Sequence, residues 1–418
     1  MQIIADFHIH SKYSRATSKE MDVENLCKWA DIKGINLLGT GDFTHPTYFY
    51  YLKSKLEPEG NGFFRLKGKN GKARFILTAE VSNIFSQGKA RGRRIHNLIF
   101  APSFEVVAKI NSKLEKLGKL SSDGRPIFGF PAKELVKMIM DISDECMIIP
   151  AHAWTPWFSV FGANSGFDSI EECFGEESKH IYAIETGLSS DPAMNWRISG
   201  LDKISLISNS DAHSPSKLGR EANVFDCEFS YREIMKVLKK KDEKKFLYTI
   251  EFFPEEGKYY YDGHRNCKVL LSPSETKKHN YICPNCNGKI TVGVMHRVEV
   301  LADRKEGFTP ERTIPYKSLI PLQEIIAECL GFGVNSAAVV NEYKKIVGLG
   351  GSEFNVFLEL EQDDLKKIAS PKIVEGIMRM REGRVSIRPG YDGEYGKVKI
   401  FEYGEEEKKK GKEQMSLF

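Results

Sequence analysis

The chain has 418 residues, 41% hydrophobic and 28% charged, which excludes a disordered or fibrous protein and leaves room for two or three domains. Its 61 basic residues nearly balance its 57 acidic ones, so a net charge of +4 does not by itself call for a polyanionic partner. No apolar run reaches the ~18 residues of a membrane span, and the start passes at once into a polar motif, so the expectation is a cytoplasmic protein with no membrane partner.

Over residues 1–245, short apolar runs alternate with helical patterns. Ile35–Leu38, Ala73–Thr78, Met147–Pro150, Ile181–Ile184 and Ile204–Ile207 read as buried parallel strands, and Met21–Lys33, Phe104–Leu117, Ala132–Ile142 and Tyr231–Lys241 as the helices between them. The class is α/β and barrel-like, and barrel enzymes carry their chemistry just after the strands.

Polar residues stand at those places. His8 and His10 follow Ile3-Ile-Ala, and side chains two apart on a strand share a face. Asp42 and His45 leave a Gly-rich turn, and Glu80 ends the run Phe75–Ala79. His96 lies in Arg94-Ile-His-Asn, His152 follows Ile149-Pro-Ala, and Asp211-Ala-His213 repeats the first arrangement. Six of the ten histidines fall in these stations, too many for a set of unrelated core histidines. Mixed His, Asp and Glu ligands without Cys suit two or three catalytic divalent ions, Zn2+, Mn2+ or Mg2+, rather than a structural zinc. Glu80 is the natural bridging ligand, because a carboxylate spans two cations and a neutral imidazole does not. Phosphoester hydrolysis is the chemistry that uses such a cluster, with Glu80, His152, Asp211 and His213 at its centre. Arg91, Arg93 and Arg94, beside His96, offer phosphate contacts. Solvated surface is the alternative role for these arginines.

Over residues 246–300 the texture turns to Gly, Pro, Tyr and paired Cys. His264-x2-Cys267 and Cys283-x2-Cys286, with fifteen residues between the pairs, have zinc-ribbon spacing and fill a tetrahedral ion, so this zinc is structural. His279 and His296 are alternatives to His264. Tyr259–Tyr261 before the pairs and Arg297, Arg304 and Lys305 after them mix aromatics with cations, which suits nucleic acid. Residues 301–404 read as a mostly helical domain that contacts DNA, with helices over Pro321–Leu330, Asn335–Val347 and Gln362–Ala369 and two closing strands. Residues 405–418 form a charged tail ending in apolar residues.

The series His8-x-His10, Asp42, Glu80, His96, His152 and Asp211-x-His213 resembles the motifs of the PHP domain family, polymerase and histidinol phosphatase. The resemblance implies a distorted (β/α)7 barrel around a trinuclear metal site, followed here by the small zinc-binding module and the helical C-terminal domain. Where that family commonly has Thr-Asp-His, Phe43 follows Asp42 and the histidine comes later as His45. Together with Asp262-Gly-His-Arg-x-Cys, Cys-Pro-x-Cys and Arg388-Pro-Gly-Tyr-Asp-Gly-Glu-Tyr-Gly396, the whole chain resembles the endonuclease Q family of DNA repair nucleases. This implies damaged DNA as partner and incision, by metal-activated water, 5′ to deaminated bases (hypoxanthine, uracil, xanthine) and abasic sites. Tyr48 after the second station, and Trp154 and Trp157 after His152, are candidates for holding an extruded base, with packing of the barrel mouth as the alternative role of each. Gln414, Leu417 and Phe418 resemble a shortened sliding-clamp motif. Two other functions stay open: a phosphatase of a small phosphorylated metabolite, and a non-catalytic DNA or clamp adaptor.

Overall fold

The computed structural model describes residues 2–68, 71–87 and 90–401, and of residues 90 and 91 the backbone only. Its first half is built on strands β1 (Gln2–Asp6), β2 (Leu37–Gly39), β3 (Arg74–Gln87), β4 (Ala90–Ala101), β5 (Met147–Pro150), β6 (Ala183–Glu185), β7 (Ser205–Ile207), β8 (Ala222–Asp226), β9 (Phe246–Glu251) and β10 (Tyr316–Ser318). The expected parallel order holds for β1, β2 and β3 and for β6 with β7. Elsewhere the sheet is mixed. β3 and β4 form a long antiparallel hairpin, β5 runs antiparallel to β4, and β8 runs antiparallel to both β1 and β9. Among the described residues β6 and β7 pair only with each other, so the ladders there do not close a ring of strands.

Burial nonetheless gathers the strands around one interior. Ile3 and Ala5 of β1, Leu37, Ile76, Leu98 and Phe100, Ile149, Ala183, Ile207, Phe225 and Phe246 belong to a single apolar cluster that takes a side chain from each of β1 to β9. Phe7 sits within it, edge-on to Phe100 at 5.4 Å between ring centroids. Gly39 passes so close to the Phe7 carbonyl that a Cβ would lie 2.1 Å from its oxygen, which leaves glycine as the residue that fits.

Helices cover the strands on an apolar face of period 3.6. In α1 (Val23–Lys33), Val23, Leu26, Cys27 and Ala30 are buried, Asp22 caps the start by accepting from the Asn25 N–H, and Gly34 ends it at φ 87°. The helix over Ala132–Ile142 has the expected bounds, and that over Tyr231–Lys240 stops one residue short.

Two boundaries differ from expectation. Phe246–Glu251, beyond the boundary placed at 245, is a strand of the main sheet, and Tyr316–Ser318 returns to pair with it in parallel. The cysteine-rich stretch is therefore an insertion between two strands of one sheet. The helical C-terminal part comprises Leu322–Leu330, Ala337–Gly350, Glu353–Leu358, Gln362–Ile368 and Pro371–Arg381 and ends in a hairpin of Ser386–Arg388 with Lys397–Lys399. It meets α1 through a buried ion pair, Lys33 Nζ to Glu353 Oε2 at 2.6 Å, where Tyr343 also donates to the carboxylate.

Candidate metal centre

His8 and His10 leave β1 on a stretch zipped to the segment after β7: the His10 N–H donates to the Ala212 carbonyl at 3.0 Å, and Ile9 bridges Ala212. Asp6 fixes the same segment by accepting from the N–H groups of Ser210 and Gly219. The segments that follow β1 and β7 thus bring Asp211 to the two histidines. His8, His10 and Asp211 present ligand atoms within 4.8 Å of one another, and so do Glu80, His96 and His152.

Glu80 stands between the two groups. Its Oε2 lies 3.2 Å from His10 Nε2 and 3.6 Å from His8 Nε2, and its Oε1 lies 2.7 Å from His96 Nδ1 and 3.0 Å from His152 Nε2. The strand that was expected to end at Glu80 runs on to Gln87, and the β3–β4 register, Glu80 opposite Leu98 and Ser82 opposite His96, puts Glu80 and His96 diagonally on one face.

Three buried atoms, His8 Nε2, His10 Nε2 and Asp211 Oδ1, have no hydrogen-bond partner. Leaving such atoms unsatisfied costs ~1–3 kcal/mol each, and a cation held by all three removes that cost. The residues therefore fit a metal. Burial lowers the pKa of His8 and His10, but the surrounding carboxylates, Glu185 and Glu80 at His8 and Asp42 at His10, push both well above the usual imidazole range. A divalent ion would take the place of those protons. Burial pushes His96 down to about 4, which keeps it neutral as a ligand must be. Asp42, His152 and Asp211 hold backbone φ of 46°, 29° and 46°, a left-handed conformation that costs non-glycine residues of order 1–3 kcal/mol and that clusters at functional sites.

The other expected site residues lie differently. Asp42 stands behind His10 rather than in either group. Its Oδ1 meets His10 Nδ1 at 3.1 Å and its Oδ2 is saturated by Ser11 N–H, Ser11 Oγ and Ser14 Oγ. His45 stacks on Tyr13 at 4.5 Å, outside both groups. His213 packs its ring 4.5 Å from His10, and its Nδ1 turns back to the Asp211 carbonyl at 2.9 Å. Tyr48 is fully buried and donates to the Thr40 carbonyl, so it packs the wall and cannot contact a base there. Trp154 is likewise buried, its indole N–H donating to Asn195. Trp157 is exposed, with the Arg94 guanidinium 4.9 Å from its ring. Arg93 is engaged with the Phe167 ring and Glu172. The Arg91 side chain and the residues Gln414, Leu417 and Phe418 lie outside the described residues.

Residues not picked as site residues from sequence complete the pocket. Glu185 receives His8 Nδ1 at 3.0 Å on either oxygen, the His152 N–H at 2.7 Å and the Asn209 amide, which favours a proton on Nδ1 and leaves His8 Nε2 available to an ion. It carries the same signal as the other stations, an acid closing an apolar run. Arg125 reaches Glu80 Oε2 at 3.0 Å from an irregular loop with no pattern to betray it. A Cβ on the preceding Gly124 would lie 2.2 Å from Ser14 Oγ and 2.3 Å from Asp42 Oδ2.

In the insertion, His264, Cys267, Cys283 and Cys286 bring ligand atoms within 4.8 Å of one another. Burial raises the Cys283 thiol, and the N–H groups of Asn285 and Cys286 more than offset it, bringing it down to about 6, which favours a thiolate ligand. His296 is spent elsewhere, 2.6 Å from Asp262 and 3.3 Å from the Tyr281 hydroxyl.

Residues 321–384 match the family model described as the MJ0043 C-terminal domain. Protein MJ0043 of Methanocaldococcus jannaschii is 35% identical over 255 residues, a stretch that covers 59% of this chain and 31% of that protein. The lesion-specific endonuclease PfuEndoQ of Pyrococcus furiosus superposes with a TM-score of 0.85 at 31% identity, over 98% of this chain and 99% of that one. The chain belongs to the endonuclease Q family. A second endonuclease Q structure, a complex with a 27-mer duplex substrate carrying an abasic lesion at the active site, matches with a TM-score of 0.83 at 32% identity over 96% of this chain and 97% of that one. The endonuclease Q likeness thus spans both the histidine and carboxylate pocket and the cysteine insertion.

Proposed function

We propose that this endonuclease Q family member is a DNA repair endonuclease that hydrolyses the phosphodiester bond 5′ to a deaminated base (hypoxanthine, uracil or xanthine) or an abasic site. The observation that carries the reading is Glu80, one oxygen on each of two ligand groups, in a chain whose fold matches lesion-specific endonucleases along its length. We read the first 245 residues with β9 and β10 as a distorted PHP-type barrel, and the insertion as a zinc module held by His264, Cys267, Cys283 and Cys286.

His8, His10 and Asp211 would hold one ion, His96 and His152 a second, and Glu80 both. Divalent ions so placed supply Lewis acidity to the phosphodiester and an activated water. The chain's own groups do the rest. Glu185 and Asp42 orient His8 and His10 through their Nδ1 atoms. Arg125 brings a fixed positive charge to the pocket beside Glu80, suited to a phosphate oxygen. His213, half-exposed with its Nδ1 tied to the Asp211 carbonyl, keeps Nε2 free to take or give a proton at the pocket mouth. A sliding-clamp contact through Gln414, Leu417 and Phe418 completes the reading, and calorimetry on a chain lacking 414–418 tests it: unchanged clamp affinity removes the idea.

The deciding assay incubates the protein and Mn2+, Mg2+ or Zn2+ with labelled duplexes carrying deoxyinosine, deoxyuridine, an abasic site or normal bases, beside a panel of phosphorylated metabolites. Nicking 5′ to the lesion that disappears in Asp211→Ala is the expected result. Metabolite turnover without nicking, or DNA binding without turnover, would replace the reading with a phosphatase or an adaptor.

A further inference from the structure

The loop between His152 and β6 carries a feature that metal chemistry does not use. Its aromatic residues Trp154, Phe161 and Phe167 are each 1% exposed and anchor it, while Trp157 at its tip is 47% exposed. Single exposed aromatics are common and need no explanation by themselves. This one has an unusual setting. Phe158, its neighbour, holds φ at 62°, an outlier for a bulky side chain, and lays its ring 4.6 Å from that of His96. The His96 N–H donates to the Phe158 carbonyl at 3.1 Å, so the tip is bonded to the strand that carries a candidate metal ligand. Arg94 stands 4.9 Å from the Trp157 ring and 5.4 Å from the Phe158 ring, a cation beside both.

The loop is also rigid by construction. Thr155 Oγ1 donates to the Trp157 carbonyl at 2.8 Å, Asn164 N–H to the Pro156 carbonyl at 3.0 Å, and Gly166 N–H to the Gly162 carbonyl at 2.8 Å. A brace comes from the far side of the sequence. Arg297, on the helix Val294–Leu301 that follows the cysteine pairs, donates to the carbonyls of Phe161 at 3.0 Å and Phe167 at 2.9 Å and pairs with Asp168 at 2.6 Å.

A stacking ring with a cation, on a rigid strained tip beside the cutting site, matches what a protein needs to enter and unstack a duplex. Resting on the endonuclease reading above, we infer that residues 154–167 form a wedge that enters the duplex next to the lesion, Trp157 stacking on the adjacent base pair and Arg297 positioning the wedge from the cysteine module. A phosphatase or an adaptor of another kind would have no use for it.

The test uses the full chain in an Asp211→Ala background, so that DNA stays uncut, and a duplex with 2-aminopurine opposite an abasic site. Binding raises 2-aminopurine fluorescence as the wedge takes the place of that base and pushes it out of the stack. Adding Trp157→Ala removes the rise and weakens binding by about 10-fold, within the range of one base–aromatic stack. Trp157→Phe restores most of both, and equal melting temperatures exclude misfolding. Arg297→Ala reduces the rise with Trp157 intact, and Arg297→Lys, which keeps one donor, recovers part of it. A full rise and an affinity within twofold in Trp157→Ala overturn the wedge, and an unchanged rise in Arg297→Ala overturns the brace. Should the unmutated protein nick lesion duplexes while Trp157→Ala behaves like it, the wedge falls and the endonuclease reading stands. If the unmutated protein neither nicks nor binds them, both fall.

Discussion

Among the described residues, two sets of side chains are suited to metal, and they are built in opposite ways. The pocket gathers ligand groups from residues 8 to 211, at the ends and along the strands of a mixed sheet, with the orphaned His8 Nε2, His10 Nε2 and Asp211 Oδ1 converging. The cysteine set draws on two short pairs with fifteen residues between them, Cys286 being exposed. In the first, the ligands are carried by strands of the large sheet and the segments next to them; in the second, only a small cluster of Leu271, Cys283 and Ile290 backs the pairs. An ion in the pocket should serve chemistry, and an ion in the module should serve structure.

The largest effect expected separates the two. Asp211→Ala removes a ligand and several kcal/mol of transition-state stabilisation, so nicking falls on the order of 10³-fold, while the melting temperature hardly moves. Cys283→Ser should do the reverse at first sight: one equivalent of zinc is lost and the insertion becomes sensitive to proteolysis. Nicking then falls only as far as the Arg297 brace is lost. If Cys283→Ser abolishes nicking without loss of zinc, the division of labour is wrong.

A smaller effect probes how far the pocket is pre-set. Glu185 touches His8, the His152 backbone and Asn209 but belongs to neither ligand group. Glu185→Ala should weaken metal binding by ~10–100-fold, read by titration with Mn2+ or Zn2+ rather than by turnover. Unchanged affinity would mean that the histidines are held by packing alone.

These tests bear on what the residue pattern discloses. His8-x-His10 and Asp211-x-His213 stand out because an acid or imidazole two residues from another after an apolar run has few structural reasons to be there. Glu80 was legible as a carboxylate of the pocket, yet its place in mid-strand was not, since polar Ser82 and Asn83 interrupt the apolar run after it and nothing local says that β4 folds back on β3. Asp42 shows a different limit. A carboxylate that binds a metal and one that orients its histidine are the same residue in a sequence, and the hydroxyls that meet the second oxygen of Asp42, those of Ser11 and Ser14, reach it only in space. The cysteine pairs needed no such context, because their spacing is their geometry.

On β9 the sheet carries a further buried carboxylate, Glu251, which tests whether pH acts through the core. Burial, opposed by hydrogen bonds from Thr249 and Thr186, raises its pKa from 4.5 to about 8. A folded-state pKa above the unfolded one gives stability that is complete below about 4.5 and lost as pH rises through 8. Between pH 7 and 9 this loss is on the order of 1 kcal/mol, since the folded chain gives up a proton that the unfolded chain no longer holds. Urea midpoints should therefore fall over that window in the natural chain and fall less in Glu251→Gln, which stays neutral and keeps an acceptor. Equal slopes would show that Glu251 ionises freely.

The smallest effect separates two aromatics that the sequence could not tell apart. Tyr48 and Trp157 each follow a station of the pocket, and each has the ring that stacking on a base requires. Tyr48 lies in α2 (Pro46–Lys55), buried among core side chains with its hydroxyl spent on the Thr40 carbonyl at 3.0 Å. Tyr48→Phe keeps the packing and removes that one hydrogen bond, leaving a carbonyl that still has its place in the turn, so stability drops by about 1 kcal/mol. Because the ring cannot reach DNA without unfolding α2, affinity for an abasic duplex should stay within twofold, where Trp157→Ala lowers it about 10-fold. A Tyr48→Phe chain of normal stability that binds lesion DNA poorly would place the hydroxyl at the substrate and move α2 from the wall of the pocket to its mouth.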